Sequence, residues 1–212
     1  MKKSNLCFML TLALTGYSVG SNAEVTIDDL SSDTPNLPVS HKEQPKRDSN
    51  YIFSSTVEMM DEFNDYPSDI GAFKIKAEKP LSVQISPRVM DSELQQPEYI
   101  VDDVERAAIY AAYRILFQTN IDKVTVTSVP LLIDAETKNK SYVEQYAVTF
   151  KITKKAAIKI ANRYCRVSSK DELFKKDGYT FSDDFKNNCY QSSSKNHKSF
   201  FADLTHSEHL SY

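Results

Sequence analysis

The stretch "VDDVERAAIYAAYRILFQTN", residues 101–120, decides the fold. Val104, Ala108, Ala111 and Ile115 make one apolar stripe of a 3.6-residue helix, and Ile109, Ala112 and Leu116 make the stripe beside it. Only Asp103, Arg106, Tyr110 and Arg114 are left as a polar face. A helix that is apolar around most of its girth is covered on several sides, so this one is expected to be buried at the centre of the fold. Asp102 is placed to cap it, with Glu105 completing a variant of the capping box. Asn120 is placed to stop it in the left-handed conformation.

Strands are expected on both sides of that helix. "AFKIKAE" (72–78) and "PLSVQIS" (80–86) alternate apolar and polar residues, with Pro80 between them and Pro87 after the second. Downstream, "DKVTVTSVPLLID" (122–134) places Val124 and Val126 in one phase and Val129, Leu131 and Ile133 in the other. The slip falls beside Pro130, where a β-bulge would absorb one residue. After the polar link "AETKNKS", the run "YVEQYAVTFKIT" puts Tyr142, Tyr146, Val148, Phe150 and Ile152 on one face. The two runs read as an antiparallel hairpin with one buried and one wet face, and Asp134–Ser141 as its link. Together these imply an α+β fold: a central buried helix packed on a curved antiparallel sheet.

Flanking helices follow the same logic. "STVEMMDEF" (55–63) reads as a short helix capped by Ser55 or Thr56, with Val57, Met60 and Phe63 on one side. Thr153 caps "KKAAIKIANRYC" (154–165), which turns Ala157, Ile160, Ala161 and Tyr164 inward. Lys154 and Lys155 sit at the end of that helix where its dipole disfavours cations, so they are read as facing a partner or the acidic half of the chain. Beyond Arg166 the tail is aromatic and polar, with a short helix in "SKDELFKKDG" ended by Gly178.

The chain's beginning carries a compartment signal. Lys2 and Lys3 precede an apolar run from Leu6 to Leu14, and Ser21-Asn22-Ala23 offers small residues for a cut after Ala23. Residues 1–23 therefore read as a secretory signal peptide. The run is too short and too polar near Thr15, Gly16 and Ser18 to span a bilayer, and no later stretch is long and apolar enough to do so. Residues 24–50, rich in Ser, Asp, Pro and Asn, are read as a disordered leader, and 51–212 as a single domain. The exported chain keeps Cys165 and Cys189, and an even pair in an oxidising compartment reads as a disulfide that ties the C-terminal tail to the preceding helix. A catalytic thiol would need a base and a low-pKa setting, and the sequence places neither.

Composition excludes several chemistries. Past residue 23 only Gly71 and Gly178 remain, while phosphate-binding loops, dinucleotide fingerprints and the G-x-S-x-G elbow each need two or more close glycines. No C-x-x-C pair and no H-E-x-x-H helix is present. No cofactor is expected. From Glu24 to Glu105 the chain holds 7 basic and 18 acidic residues, and from Lys151 to Lys198 it holds 12 basic and 5 acidic. The simplest consequence is that the two halves attract within one fold; the same dipole can also steer a partner.

Candidate site residues are few. Lys154, Lys155, Arg163, Arg166, Lys175 and Lys176, interleaved with Phe174 and Tyr179, form a candidate binding patch. Asp203, His206 and His209 recur every third residue and carry zinc-ligand chemistry, to which His197 can add. Nucleic acid is a poor partner for a net-acidic exported chain. The adjacent carboxylates Asp102–Asp103 and Asp183–Asp184 point to different sides of the backbone and define no acid–base pair. The reading is an exported accessory or binding protein of a bacterial envelope, periplasmic or secreted, that recognises an envelope or secreted protein, with no catalytic residue marked by the sequence. A secreted hydrolase or toxin with an unrecognised site, and a metal-binding envelope protein, are the alternatives.

Overall fold

The computed structural model describes residues 48, 50–134 and 136–207. The expected signal peptide, all of the expected leader except residues 48 and 50, and His209 lie outside the described residues.

The central helix, α2, starts earlier than its capping signal implies: it runs Pro97–Gln118. Pro97 fits the first turn because its missing N–H would have had no helical partner there. Asp102 therefore lies inside the helix and caps nothing; its carboxylate accepts from Lys198 Nζ at 2.8 Å. The far end is also corrected. Thr119 is extended (φ −132°), and Asn120 is not left-handed. The Thr119 hydroxyl donates to Ile115 O at 2.6 Å and accepts from Ile121 N at 3.2 Å, which satisfies the end without a glycine-like turn. Every residue from Ala107 to Gln118 is buried, as the double stripe required.

Helix α1 (Thr56–Phe63) is capped by Ser55, whose hydroxyl accepts from Glu58 N. Its buried side is Thr56, Met59 and Met60; Val57, expected inside, is 46% exposed. Strands β1 (Phe73–Glu78) and β2 (Leu81–Ile85) pair antiparallel, as their alternation implied. Beyond them lie the two-residue β3 (Arg88–Val89) and, after α2, strands β4 (Lys123–Ser128), β5 (Leu131–Ile133), β6 (Lys140–Tyr142) and β7 (Val148–Thr153).

The sheets are mixed rather than purely antiparallel. One has the order β1-β2-β4-β7, with β2 and β4 parallel; the other has the order β3-β5-β6, with β3 and β5 parallel. The phase slip at Pro130 is a change of sheet and not a bulge. Ser82 to Ile85 pair with Thr125 to Ser128, and after a gap Arg88 and Val89 pair with Leu131 and Leu132 in the same register. The gap falls where Pro87 and Pro130 face each other, and neither has an N–H to give the ladder. One parallel pair is thus divided into two sheets by two prolines. The expected hairpin is divided with it: β4 pairs with β7 and β5 with β6. In the β5–β6 turn, Asp134 Oδ1 accepts from Glu136 N at 3.0 Å and from the Thr137 hydroxyl at 2.7 Å.

Helix α2 packs on β4, β7 and β2 and against α1 and the next helix, α3 (Lys154–Cys165). Thr153 caps α3 through a bond from Ala156 N, and Ala157, Ile160 and Ala161 are buried as expected. The tail adds α4 (Lys170–Leu173), α5 (Asp183–Phe185) and α6 (His197–Thr205). Its aromatics close over α2: Tyr113, with no exposed surface, meets the rings of Phe117, Phe185 and Phe200 and donates to Ala157 O at 2.9 Å. The Cys165–Cys189 bond is formed (S–S 2.08 Å, Cα–Cα 5.6 Å) and ties the end of α3 to the turn 186–190. Among the described residues, no helix is long and apolar enough to cross a membrane.

Candidate binding cleft

The narrow polar face of α2 does not meet plain solvent. Asp103, Arg106 and Tyr110 line one side of a cleft of about 400 Å³, whose other walls are Asp65, Tyr66, Pro87, Arg88 and Tyr190. A smaller lobe of about 230 Å³ shares Asp65, Tyr110 and Tyr190 and is completed by Arg114, Tyr179, Thr180, Phe181 and Lys186. Four separate stretches meet here: the segment after α1, the Pro87 break between the sheets, α2, and the tail behind the disulfide.

Arg114 is the floor of the smaller lobe and is only 4% exposed. Its guanidinium lies 3.7 Å from the ring centroid of Phe63 and 4.7 Å from that of Tyr110, with Phe181 and Phe174 further out. Nη1 donates to Gln118 Oε1 at 2.8 Å and Nη2 donates to Tyr179 O. The rings' negative faces replace part of the lost hydration, as a delocalised cation allows. Nε reaches no hydrogen-bond partner among the described residues. Burial pulls the guanidinium pKa down, and Tyr110 and Asp65 pull it back up. Gly178 holds φ +71° in the turn between Phe174 and Phe181, and its carbonyl accepts from Gln118 Nε2 at 2.6 Å. A side chain at that backbone conformation is strained, which explains why one of the chain's few glycines sits there.

The cleft's tyrosines are held in the protonated form. Burial pushes the phenols of Tyr66, Tyr110 and Tyr190 up, and for Tyr66 the neighbouring Tyr190 adds to it. Tyr110 donates to Asp65 Oδ2 at 2.7 Å. The hydroxyls of Tyr66 and Tyr190 have no hydrogen-bond partner among the described residues. Arg106 uses Nη2 on Asp103, and its charge acts on both of those phenols. The lining thus sets phenol O–H and guanidinium N–H donors beside the carboxylates of Asp65 and Asp103.

A second cluster sits on another side of α2. His197, with no exposed surface, meets Cys189 O through Nδ1 at 2.7 Å and Glu105 Oε2 through Nε2 at 2.9 Å. Lys198 Nζ reaches the same Glu105 oxygen at 2.9 Å. Burial alone would raise the Glu105 carboxyl, but hydrogen bonds from His197 and Lys198 outweigh it and hold the pKa below the usual range. Glu105, read from sequence as a capping residue, is instead the tie between α2 and the tail.

The sequence-derived candidates are dispersed. Lys154 lies 3.5 Å from Asp122 and Lys155 is exposed. Arg163 pairs with Asp203 at 2.5 Å, and Tyr164 donates to the same carboxylate at 3.0 Å. Arg166 is exposed in the left-handed cap of α3, Lys175 pairs with Asp183 at 2.9 Å, and Lys176 is exposed. None of these six lines the cleft. His206 is exposed and bonds Ala202 O at 2.7 Å; with Asp203 engaged elsewhere and His197 buried, no group of three metal-ligating side chains forms among the described residues. The sequence marks Arg106, Tyr110 and Arg114 only as part of the polar face of the central helix. The signal in them was that such a face, on a helix otherwise apolar, is too narrow to be mere surface.

Compared with protein-family models, with curated proteins and with solved structures, the chain matches none. The class stands on the fold itself: a disulfide-linked α+β protein in which two mixed sheets pack against a buried helix.

Proposed function

We propose that this protein is an exported accessory or binding protein of a bacterial envelope, and that it recognises its partner through the tyrosine–arginine cleft. The observation that carries this reading is the set of donors turned into one concave site: two phenol hydroxyls without partners among the described residues, Arg106 only partly engaged, and Arg114 behind them. Concavity with a few convergent polar groups is the ordinary form of a recognition site. Export is supported by the signal-like residues 1–23 and by the disulfide, which persists in oxidising compartments. The cleft replaces the dispersed basic patch as the proposed contact surface.

A photoreactive benzoylphenylalanine at Arg88, on the cleft wall, tests this in the native host. Irradiation is expected to give one discrete higher-mass adduct, absent when the same group replaces Lys159, which is exposed and outside the cleft lining. The same adducts from both positions, or none from Arg88, would refute it.

A further inference from the structure

We propose that the larger lobe of the cleft takes a carboxylate, an Asp or Glu side chain or a chain end presented by the partner, between Arg106 and the hydroxyls of Tyr66 and Tyr190. This rests on the cleft being a recognition site, and it adds what that site recognises. Three observations converge on it.

First, beside the carboxylates of Asp65 and Asp103 the lobe holds donors that the described residues leave unused. Tyr66 and Tyr190 hydroxyls have no partner among the described residues, and the single bond from Arg106 Nη2 to Asp103 leaves the rest of that guanidinium open to the cleft. Phenols that stay protonated give their hydrogen to an acceptor, and charge-assisted bonds to an oxyanion are the strong ones. Second, the larger lobe is close to charge balance: its lining holds Arg88 and Arg106 together with Asp65 and Asp103. Arg114 and Lys186 in the adjoining lobe leave a modest positive excess, while a dianion would be driven against the two carboxylates. A planar monoanion suits this balance; a phosphate does not. Third, three of the lobe's lining residues are tyrosines, Tyr66, Tyr110 and Tyr190. The Tyr66 and Tyr110 rings lie 5.2 Å apart, so the methylenes that carry a carboxylate meet ring faces while its oxygens meet the donors.

The test uses the full exported chain with isotope-labelled arginine and tyrosine, followed by NMR at constant ionic strength. It is titrated with the monocarboxylate butyrate, with its neutral amide butyramide, and with inorganic phosphate. Butyrate is expected to shift the Arg106 Nε–H and the Tyr66 and Tyr190 ring signals saturably. Butyramide should leave them in place, and phosphate should bind at least about 10-fold more weakly, a difference of one unit of affinity on the logarithmic scale. Tyr66→Phe and Tyr190→Phe keep the rings and remove only the hydroxyls, so each should weaken butyrate about 3- to 10-fold, the range of one net hydrogen bond. Arg106→Gln should abolish saturation. Equal or tighter phosphate binding would overturn the choice of a carboxylate, and unmoved signals with both anions would overturn an anion site altogether. The Arg88 adduct is read separately: an adduct with no butyrate response rejects the carboxylate and keeps the recognition site, whereas neither response rejects both.

Discussion

Arg114 and Glu105 are charged residues on a helix whose last three turns are wholly covered, and each has been given company that its own neighbourhood in sequence does not supply. For Arg114 the company is Phe63 from α1 and the Phe174–Phe181 turn of the tail. For Glu105 it is His197 and Lys198 at the start of α6. The second arrangement fixes a pH dependence. Because the folded pKa of Glu105 is lowered, its contribution to stability is fully present above its ordinary value of 4.5 and is lost as pH falls through the folded value below it. Thermal melting is therefore expected to decline on acidification below about pH 4.5. Glu105→Gln should flatten that decline while costing about 1–3 kcal/mol at neutral pH, where His197 and Lys198 lose a charged acceptor. Equal acid limbs in the two proteins would show that other carboxylates govern the loss.

At the scale of elements, local patterning was legible and long-range pairing was not. The double stripe of α2, the Ser55 and Thr153 caps and the alternation in β1 and β2 all carry their reasons within a few residues, and each is present in the fold. The Asp102 cap fails because Pro97 opens the helix earlier and a lysine far along the chain claims the carboxylate. The phase slip at Pro130 marked a real discontinuity, yet only Pro87 opposite it makes the break a change of sheet; two prolines in register cannot be seen one strand at a time. The site was hidden for the same reason, since Tyr66, Arg106 and Tyr190 come from three distant segments. The lysines opening α3 allow a test of what local reasoning does capture. Lys155 is exposed at the positive end of the helix dipole, so Lys155→Glu is expected to raise stability by about 0.3–1 kcal/mol in low salt. Lys154→Glu should not, because it faces Asp122 at 3.5 Å with a like charge. Chemical denaturation of both variants distinguishes the two positions.

Over the whole molecule, the tail from Arg166 onward is what encloses α2 and completes the cleft, and its covalent tie is the single link Cys165–Cys189. Closing a loop with a sequence separation of 24 removes freedom from the unfolded chain, worth about 3 kcal/mol on the loop-entropy account. The paired Cys165→Ser and Cys189→Ser variant is expected to melt about 6–12 °C lower. An unchanged melting temperature would mean that the aromatic packing of Phe181, Phe185 and Phe200 holds the tail unaided.

The parallel pair at the middle of the larger sheet has a consequence for any shortened form of the chain. A fragment that ends before Lys123 holds β1 and β2 as a hairpin, but Val83 and Ile85 then belong to a bare edge with no strand to bond and no β4 beside them. Such an edge pairs with whatever strand it meets, including its own copy. The first half of this chain is thus not a smaller domain but a seed for aggregation, and it becomes safe only when the second half arrives.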